Sequence, residues 1–588
     1  MELGVFLLVT IFVIAIWWKS SMNLDRADKR VGLIRLMLNT AIIVVIFSLG
    51  GILDNICSIV ALLSLALYSC MPIIHYITIK KLSVGDENFK DELNSRRDVI
   101  FAMHIMLLVG CCEIVVGSIF SFVMAAAIMY MGIIILSIVP IIQIIHYIKY
   151  GEGISKSSIA AVQETRFQEA FEYIRTILDT KIILIMVAIL FSYMILSINY
   201  YAYISSGNIS HSNTLLWCML TLVIACVVLK EASKTTLINM WMYVRCVRQT
   251  EQGYMVNHDG LYEELQVEPG DGNIMSMQGS IILVIGESAS RDYMHCYNDK
   301  FMYNNTPWLE SKRSDNNFII FNNAFSSYNT TTEVLKLALT KASQYNDYSF
   351  EDSASIIDVA RKAGYKTYWI SHQGKIAQES VATTMIAKTA DYNIGVSTSS
   401  VIGYDKELLG ALKSIDTQHN KKNFIVLHLM GSHMRYRARY PQKWTKYKDD
   451  TTEAYYANTI RYTDEFLQEC IEYAKDNLNL QAMIYFSDHG ENLSKGHHPS
   501  IKTADTVRIP MFVYVSDTYK ELNPDRVIIL RKNANKFYSN DMIYNTIIGM
   551  MNVRTDSYDG KEDISSNEYA YNRDNVLTFL GECLAKDL

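Results

Sequence analysis

The chain has 588 residues, 50% of them hydrophobic and 19% charged, with a formal net charge of −6. That length exceeds one ordinary core, and so apolar a balance is uncommon in a purely soluble protein, which implies a membrane portion. The negative balance provides no basic footprint for a phosphate backbone and excludes nucleic acid as the expected partner.

Ile, Leu, Val and Met crowd the first 230 positions, where a bilayer-spanning helix needs roughly 20 apolar residues. Candidate spans are 3–18, 33–53, 56–78, 99–121, 123–147, 181–204 and 213–230. The first lacks a basic leader and a small-residue cleavage site, and is expected to stay as an uncleaved span. Lys and Arg gather in the loops 19–32 and 79–98, which the positive-inside rule assigns to the cytoplasm. Simple alternation would then put the C-terminal part on that same side. Between spans, residues 154–177 carry apolar residues at helical spacing, as in an amphipathic helix on a membrane surface. Six cysteines, Cys57, Cys70, Cys111, Cys112, Cys218 and Cys226, fall inside apolar stretches. Cys246, Cys296, Cys470 and Cys583 are widely spaced without a CxxC pair, so no disulfide framework is expected.

The expected organisation is a transmembrane domain over 1–230, a linker over 231–279 and a catalytic domain over 280–588. From residue 280, short β-rich runs alternate with helical stretches: SIILVIG, NFIIFNNAF, SIIDVARKAG, YKTYWIS, NFIVLHLM, QAMIYFSD and RIPMFVYV. That alternation predicts an α/β sandwich on a largely parallel sheet, whose ligands bind beyond the carboxyl ends of the strands.

Glu287 follows IILVIG, and Asp488, His489 and Gly490 follow QAMIYFS, so both groups leave buried strands toward one crevice. Two carboxylates and an imidazole suit zinc or manganese. A strand-end Asp-His is also an ordinary turn with a cap, and alone it carries little weight. The third element is Ser327-Tyr328-Asn329-Thr330-Thr331-Thr332-Glu333, ahead of the helical run VLKLALTKA. Thr330 or Thr331 is suited to cap that helix. A hydroxyl there could also meet a bound metal, while the helix-end N–H groups stabilise an anionic phosphoryl group.

The stretches VIGESASRDYMHCY, NNTPWLE, SSYNTTTEVLKLALT, VLHLMGSHMRYRARYP, YANTIRYTDEFL and YFSDHGENLSKGHHP, in this order over about residues 281–515, resemble the phosphoethanolamine transferases of the alkaline phosphatase and sulfatase superfamily. The resemblance implies an N-terminal α-helical transmembrane bundle followed by a C-terminal α/β domain of alkaline phosphatase/sulfatase type. It implies that Glu287, Thr330, Asp488 and His489 bind one zinc ion, with room for a second and manganese ranking below zinc. Thr330 is the implied nucleophile, with Thr331 and Thr332 as competitors. His433 and one of His497 or His498 would hold the phosphoryl group or a second metal. Lys375 lies near a substrate-contacting lysine of the family, and Thr165 and Glu169 fall where the family binds the lipid head group. The donor would be phosphatidylethanolamine and the acceptor an envelope glycolipid or glycan, such as lipid A or core sugar, handled by a monomer. The resemblance also places the protein in the cytoplasmic membrane with its catalytic domain in the periplasm, against the alternation argument. Two departures stand out: the interval from DHG to the last histidine is shorter than in the lipid A enzymes, and their disulfides are missing. A phosphoglycerol transferase would share the metal and nucleophile, and an inert membrane scaffold would keep the fold without the chemistry. A sulfatase would need a Cys or Ser in a C/S-x-P-x-R context, and SYNTTTEV has neither Pro nor Arg.

Overall fold

The computed structural model describes residues 214–588 apart from 233–234, 271–277, 374–381, 397–403, 416–421, 498 and 500, together with scattered positions among 74–148 and at 184 and 187. The chain divides into two compact units, Met1–Cys246 and Val247–Leu588. Of the expected spans, 213–230 is described throughout from Thr214, as helix α1 (Thr214–Ala232), and it is long and apolar enough to cross a membrane. Leu215, Leu222 and Leu229 stand well exposed on it, as on a lipid-facing surface.

The stretch 231–279 differs from a plain linker. Helix α2 (Thr236–Glu264) fills most of it, and Val267–Pro269 pairs antiparallel with Val553–Thr555. Tyr254 and His258, four residues apart on one helix face, are both buried. The reason is a partner distant in sequence: His258 Nε2 lies 2.8 Å from Asp358 Oδ1, and Tyr254 stacks on Phe350 with ring centroids 4.7 Å apart. The second unit therefore begins before the first strand of its main sheet.

That sheet has seven strands: β1 (Gly279–Gly286), β2 (Phe318–Ile320), β3 (Lys366–Ser371), β4 (Tyr392–Gly395), β5 (Lys422–His428), β6 (Leu480–Ser487) and β7 (Met511–Val515). Their spatial order is β2-β7-β6-β1-β5-β3-β4. Only β7 runs antiparallel to its neighbours. Every residue of β1 is buried, which is why IILVIG reads as an unbroken apolar run: a central parallel strand is covered on both faces. Ile281, Leu283 and Ile285 join a core with α3 (Thr331–Ala338), α4 (Ile356–Lys362) and α6 (Ile543–Met551). Ile282 and Val284 join the opposite core with α5 (Thr452–Asn477).

Register places the site. Gly286 pairs with Ser487, Ile285 with His428, and His428 with Ser371, so β1, β6, β5 and β3 end at one level. Whatever follows these four strands emerges side by side.

Candidate metal centre

Glu287 comes one residue after β1, and Asp488 and His489 directly after β6; all three are buried, and one ligand atom from each lies within 4.8 Å of the others. His489 Nε2 is 3.5 Å from Glu287 Oε1 and 3.5 Å from Asp488 Oδ2. Close backbone packing supports the cluster. Gly431, at φ +47°, sits so near Glu287 that a Cβ there would lie 2.7 Å from its carbonyl oxygen. Gly490 similarly lies against Asp505, whose carbonyl would be 2.1 Å from an added Cβ.

The donor atoms are prepared individually. Asp488 Oδ1 accepts the backbone N–H of Ser288 at 3.0 Å and of His489 at 2.6 Å, while its Oδ2 is buried with no hydrogen-bond partner. A buried carboxylate oxygen without a donor is costly unless a cation compensates it. His489 Nδ1 donates to the carbonyl of Gly490 at 2.7 Å, which fixes the tautomer and leaves the Nε2 lone pair toward the carboxylates. Burial holds the His489 imidazole neutral, down to about 4, and burial together with Asp488 pushes Glu287 up to about 7. Anions that resist ionisation beside a neutral imidazole fit a site completed by a divalent cation.

The threonine hydroxyl that meets the cluster lies one residue beyond Thr330. Thr331, the first residue of α3, places its Oγ1 3.1 Å from Glu287 Oε2 and 3.5 Å from His489 Nε2. Thr330 stands ahead of it as the helix cap in extended backbone, with no capping bond from its hydroxyl. Side chains alternate along extended chain, so a single step decides which hydroxyl enters the cluster. In a run of three threonines, spacing from Ser326-Ser327 favours Thr330, and the turn into the helix is what brings Thr331 to the cluster.

His433 and His497 stand beside the cluster. The His497 ring lies 4.4 Å from that of His489 and 6.1 Å from that of His433. Burial opposes its protonation, yet the Glu491 carboxylate, 2.9 Å from Nδ1, outweighs this and raises it to about 9. His433 is driven well below its ordinary value by burial and by Arg439, whose guanidinium lies 3.5 Å from His433 Nδ1. The structure thus brings His497 to the centre, while His498 lies outside the described residues, as do Lys375, Thr165 and Glu169. Three contributors went unforeseen: Glu491, Arg439 and Gln373. Glu491 alone carried a signal, as an acid two residues past the DHG ligands.

A seven-stranded sheet with acid and imidazole ligands at its strand ends and a hydroxyl at a facing helix start defines a sulfatase-type domain, and the sulfatase family profile matches residues 280–553. Phosphoethanolamine transferase EptC of Escherichia coli is 25% identical over 469 residues, covering 72% of this chain and 80% of that protein. The putative transferase YhbX of Escherichia coli is 32% identical over 245 residues, 40% of this chain and 43% of its own. The full-length integral membrane lipooligosaccharide phosphoethanolamine transferase A of Neisseria meningitidis superposes with a TM-score of 0.55 at 17% identity, over 87% of this chain and 98% of that one. At that identity the likeness is one of fold. The chain thus carries a sulfatase-family domain over residues 280–553 and is similar, over most of its length, to phosphoethanolamine transferases.

Proposed function

We propose that this protein transfers phosphoethanolamine from phosphatidylethanolamine to a hydroxyl of an envelope glycolipid or glycan, through a phosphoethanolamine ester on Thr331. The observation that carries this reading is the Thr331 hydroxyl within 3.1 Å of Glu287 and 3.5 Å of His489. Glu287, Asp488 and His489 would hold a zinc ion, since two carboxylate oxygens and one imidazole nitrogen with an open position suit it. When bound, the ion lowers the pKa of the hydroxyl and neutralises charge on the phosphoryl oxygens.

In the first half-reaction Thr331 Oγ forms a bond to phosphorus and the diacylglycerol oxygen leaves with its electron pair. Glu287 Oε2 orients the hydroxyl and takes its proton, and the N–H groups at the start of α3 face the phosphoryl oxygens. His433 accepts the Arg439 guanidinium at Nδ1, which keeps its proton on Nε2 as a donor to the phosphoryl group. His497, fixed by Glu491, protonates the departing oxygen. In the second half-reaction His497 takes the proton of the acceptor hydroxyl, the acceptor oxygen bonds to phosphorus, and Thr331 Oγ leaves with the bonding pair and recovers its proton from Glu287. A catalytic domain in the periplasm, anchored in the cytoplasmic membrane, would have both lipid substrates within reach.

With head-group-labelled phosphatidylethanolamine, Thr331→Ala is expected to abolish transfer and Thr330→Ala to retain most of it. A phosphoethanolamine mass increment on the peptide carrying Thr331 would be the direct sign of the intermediate. Transfer surviving in Thr331→Ala would refute the assignment, and label accepted only from phosphatidylglycerol would shift it to phosphoglycerol transfer.

A further inference from the structure

Glu287 has two carboxylate oxygens, and something must decide which one faces the cation. Ser288 Oγ donates to Oε1 at 2.7 Å, and the same oxygen lies 3.5 Å from His489 Nε2. Oε2 receives the Thr331 hydroxyl at 3.1 Å and, at 2.8 Å, the side-chain amide of Gln373. Gln373 follows β3 by two residues, and its Nε2 also donates to the carbonyl of Leu429, beyond β5, at 2.9 Å. Its own N–H donates to Ser371 Oγ at 3.1 Å, which fixes the turn that carries it. One amide group thus ties together the segments leaving β3, β5 and β1, adjacent strands of the sheet.

We propose that Gln373 is a positioning residue for the metal ligand Glu287, holding Oε2 toward Thr331 so that Glu287 binds the cation through Oε1. This rests on the metal-centred reading above. The physical argument is that a carboxylate oxygen already accepting two hydrogen bonds is a poorer metal donor than its neighbour. Partners that orient a ligand in this way typically change metal affinity 10–100-fold when removed. The fork also joins ligand to nucleophile, because the oxygen that Gln373 holds is the one that receives the Thr331 hydrogen bond.

The test is zinc binding by chelator competition on the purified full-length protein, with kcat and KM for phosphatidylethanolamine measured at saturating zinc. Gln373→Met keeps the side-chain length and removes the donor. It is expected to weaken zinc binding about 10–100-fold, to lower kcat and to leave KM for the lipid unchanged. Gln373→Asn keeps an amide of shorter reach and should fall between Met and wild type. This second variant also decides the matter if Gln373→Met does not fold. Zinc affinity equal to wild type in either folded variant overturns the proposal. Wild-type protein that binds zinc more tightly than both variants yet transfers no phosphoethanolamine would sustain the role of Gln373 and sink only the donor reading. Wild-type protein without zinc affinity would sink both.

Discussion

Among the described residues the second unit holds three buried aspartate–histidine pairs, and two of them, Asp358–His258 and Asp488–His489, have opposite fates. Asp358 and His258 lock α2 onto α4: Oδ1 takes His258 Nε2 at 2.8 Å, and Oδ2 takes the N–H and hydroxyl of Ser355 at 2.9 and 2.7 Å. Every oxygen has a donor, and the hydrogen bond to Asp358 raises the His258 pKa. At the strand ends, Asp488 keeps one oxygen with no donor, and His489 is held neutral with its lone pair directed inward. The residue types are the same. What separates a structural clasp from a metal centre is the count of donors left over, together with the peptide carbonyl that chooses the tautomer.

That contrast can be broken at several points. The largest effect is expected at the strand ends: Asp488→Asn retains the oxygen that accepts the two backbone N–H groups but neutralises the free one. It should cost more in zinc affinity than the roughly 10–100-fold typical of an outer partner, abolish transfer, and leave the melting temperature of metal-free protein at or above wild type. Unaltered zinc binding would remove Asp488 from the ligand set. At the clasp, His258→Ala should behave in the opposite way. Loss of a hydrogen bond to a buried charge predicts destabilisation of about 1.5–3 kcal/mol in a denaturation experiment, with zinc affinity untouched.

Proton linkage sharpens the comparison further. Burial, with Asp541 nearby, pushes Glu562 from 4.5 up to about 8, so its folded form binds a proton more tightly than the unfolded chain. Its stabilisation is complete below 4.5 and is lost as pH rises toward 8, and Glu562→Gln should flatten melting curves across that window. The smallest expected effect belongs to His258. Its raised pKa makes the clasp fully effective below the unfolded value of about 6.5 and weaker as pH rises through the folded one. On the Glu562→Gln background, a residual slope around neutral pH should therefore disappear in His258→Gln; a slope that persists would assign it to another group.

How much of this could be read from the chain follows from the range of the interactions. The run IILVIG announced a doubly covered strand, and Glu287 and Asp488-His489 declared themselves as polar residues ending apolar runs. Such signals are local. Thr331 was hidden among identical neighbours, where only the backbone turn into α3 tells them apart. Gln373 was an unremarked amide in YWISHQGK, significant because its two acceptors come from segments that meet only in the folded sheet. His258 and Asp358 lie 100 positions apart, so the stretch around His258 looked like a connector when it is a packed helix. The contact of His497 with Glu491 likewise became visible only in the folded chain.

The pairing of Gly286 with Ser487 has a further consequence. Glu287 and Asp488 have no binding loop of their own; they arrive together because two hydrogen-bond ladders terminate in step, and a slip of one residue would turn one of them to the opposite face. Capture of the ion and final closure of the sheet are therefore thermodynamically linked. If the site holds a divalent cation as proposed, saturating it at 100 times its dissociation constant adds about 2.7 kcal/mol to the folded state, so metal starvation would lower the amount of folded protein as well as its turnover.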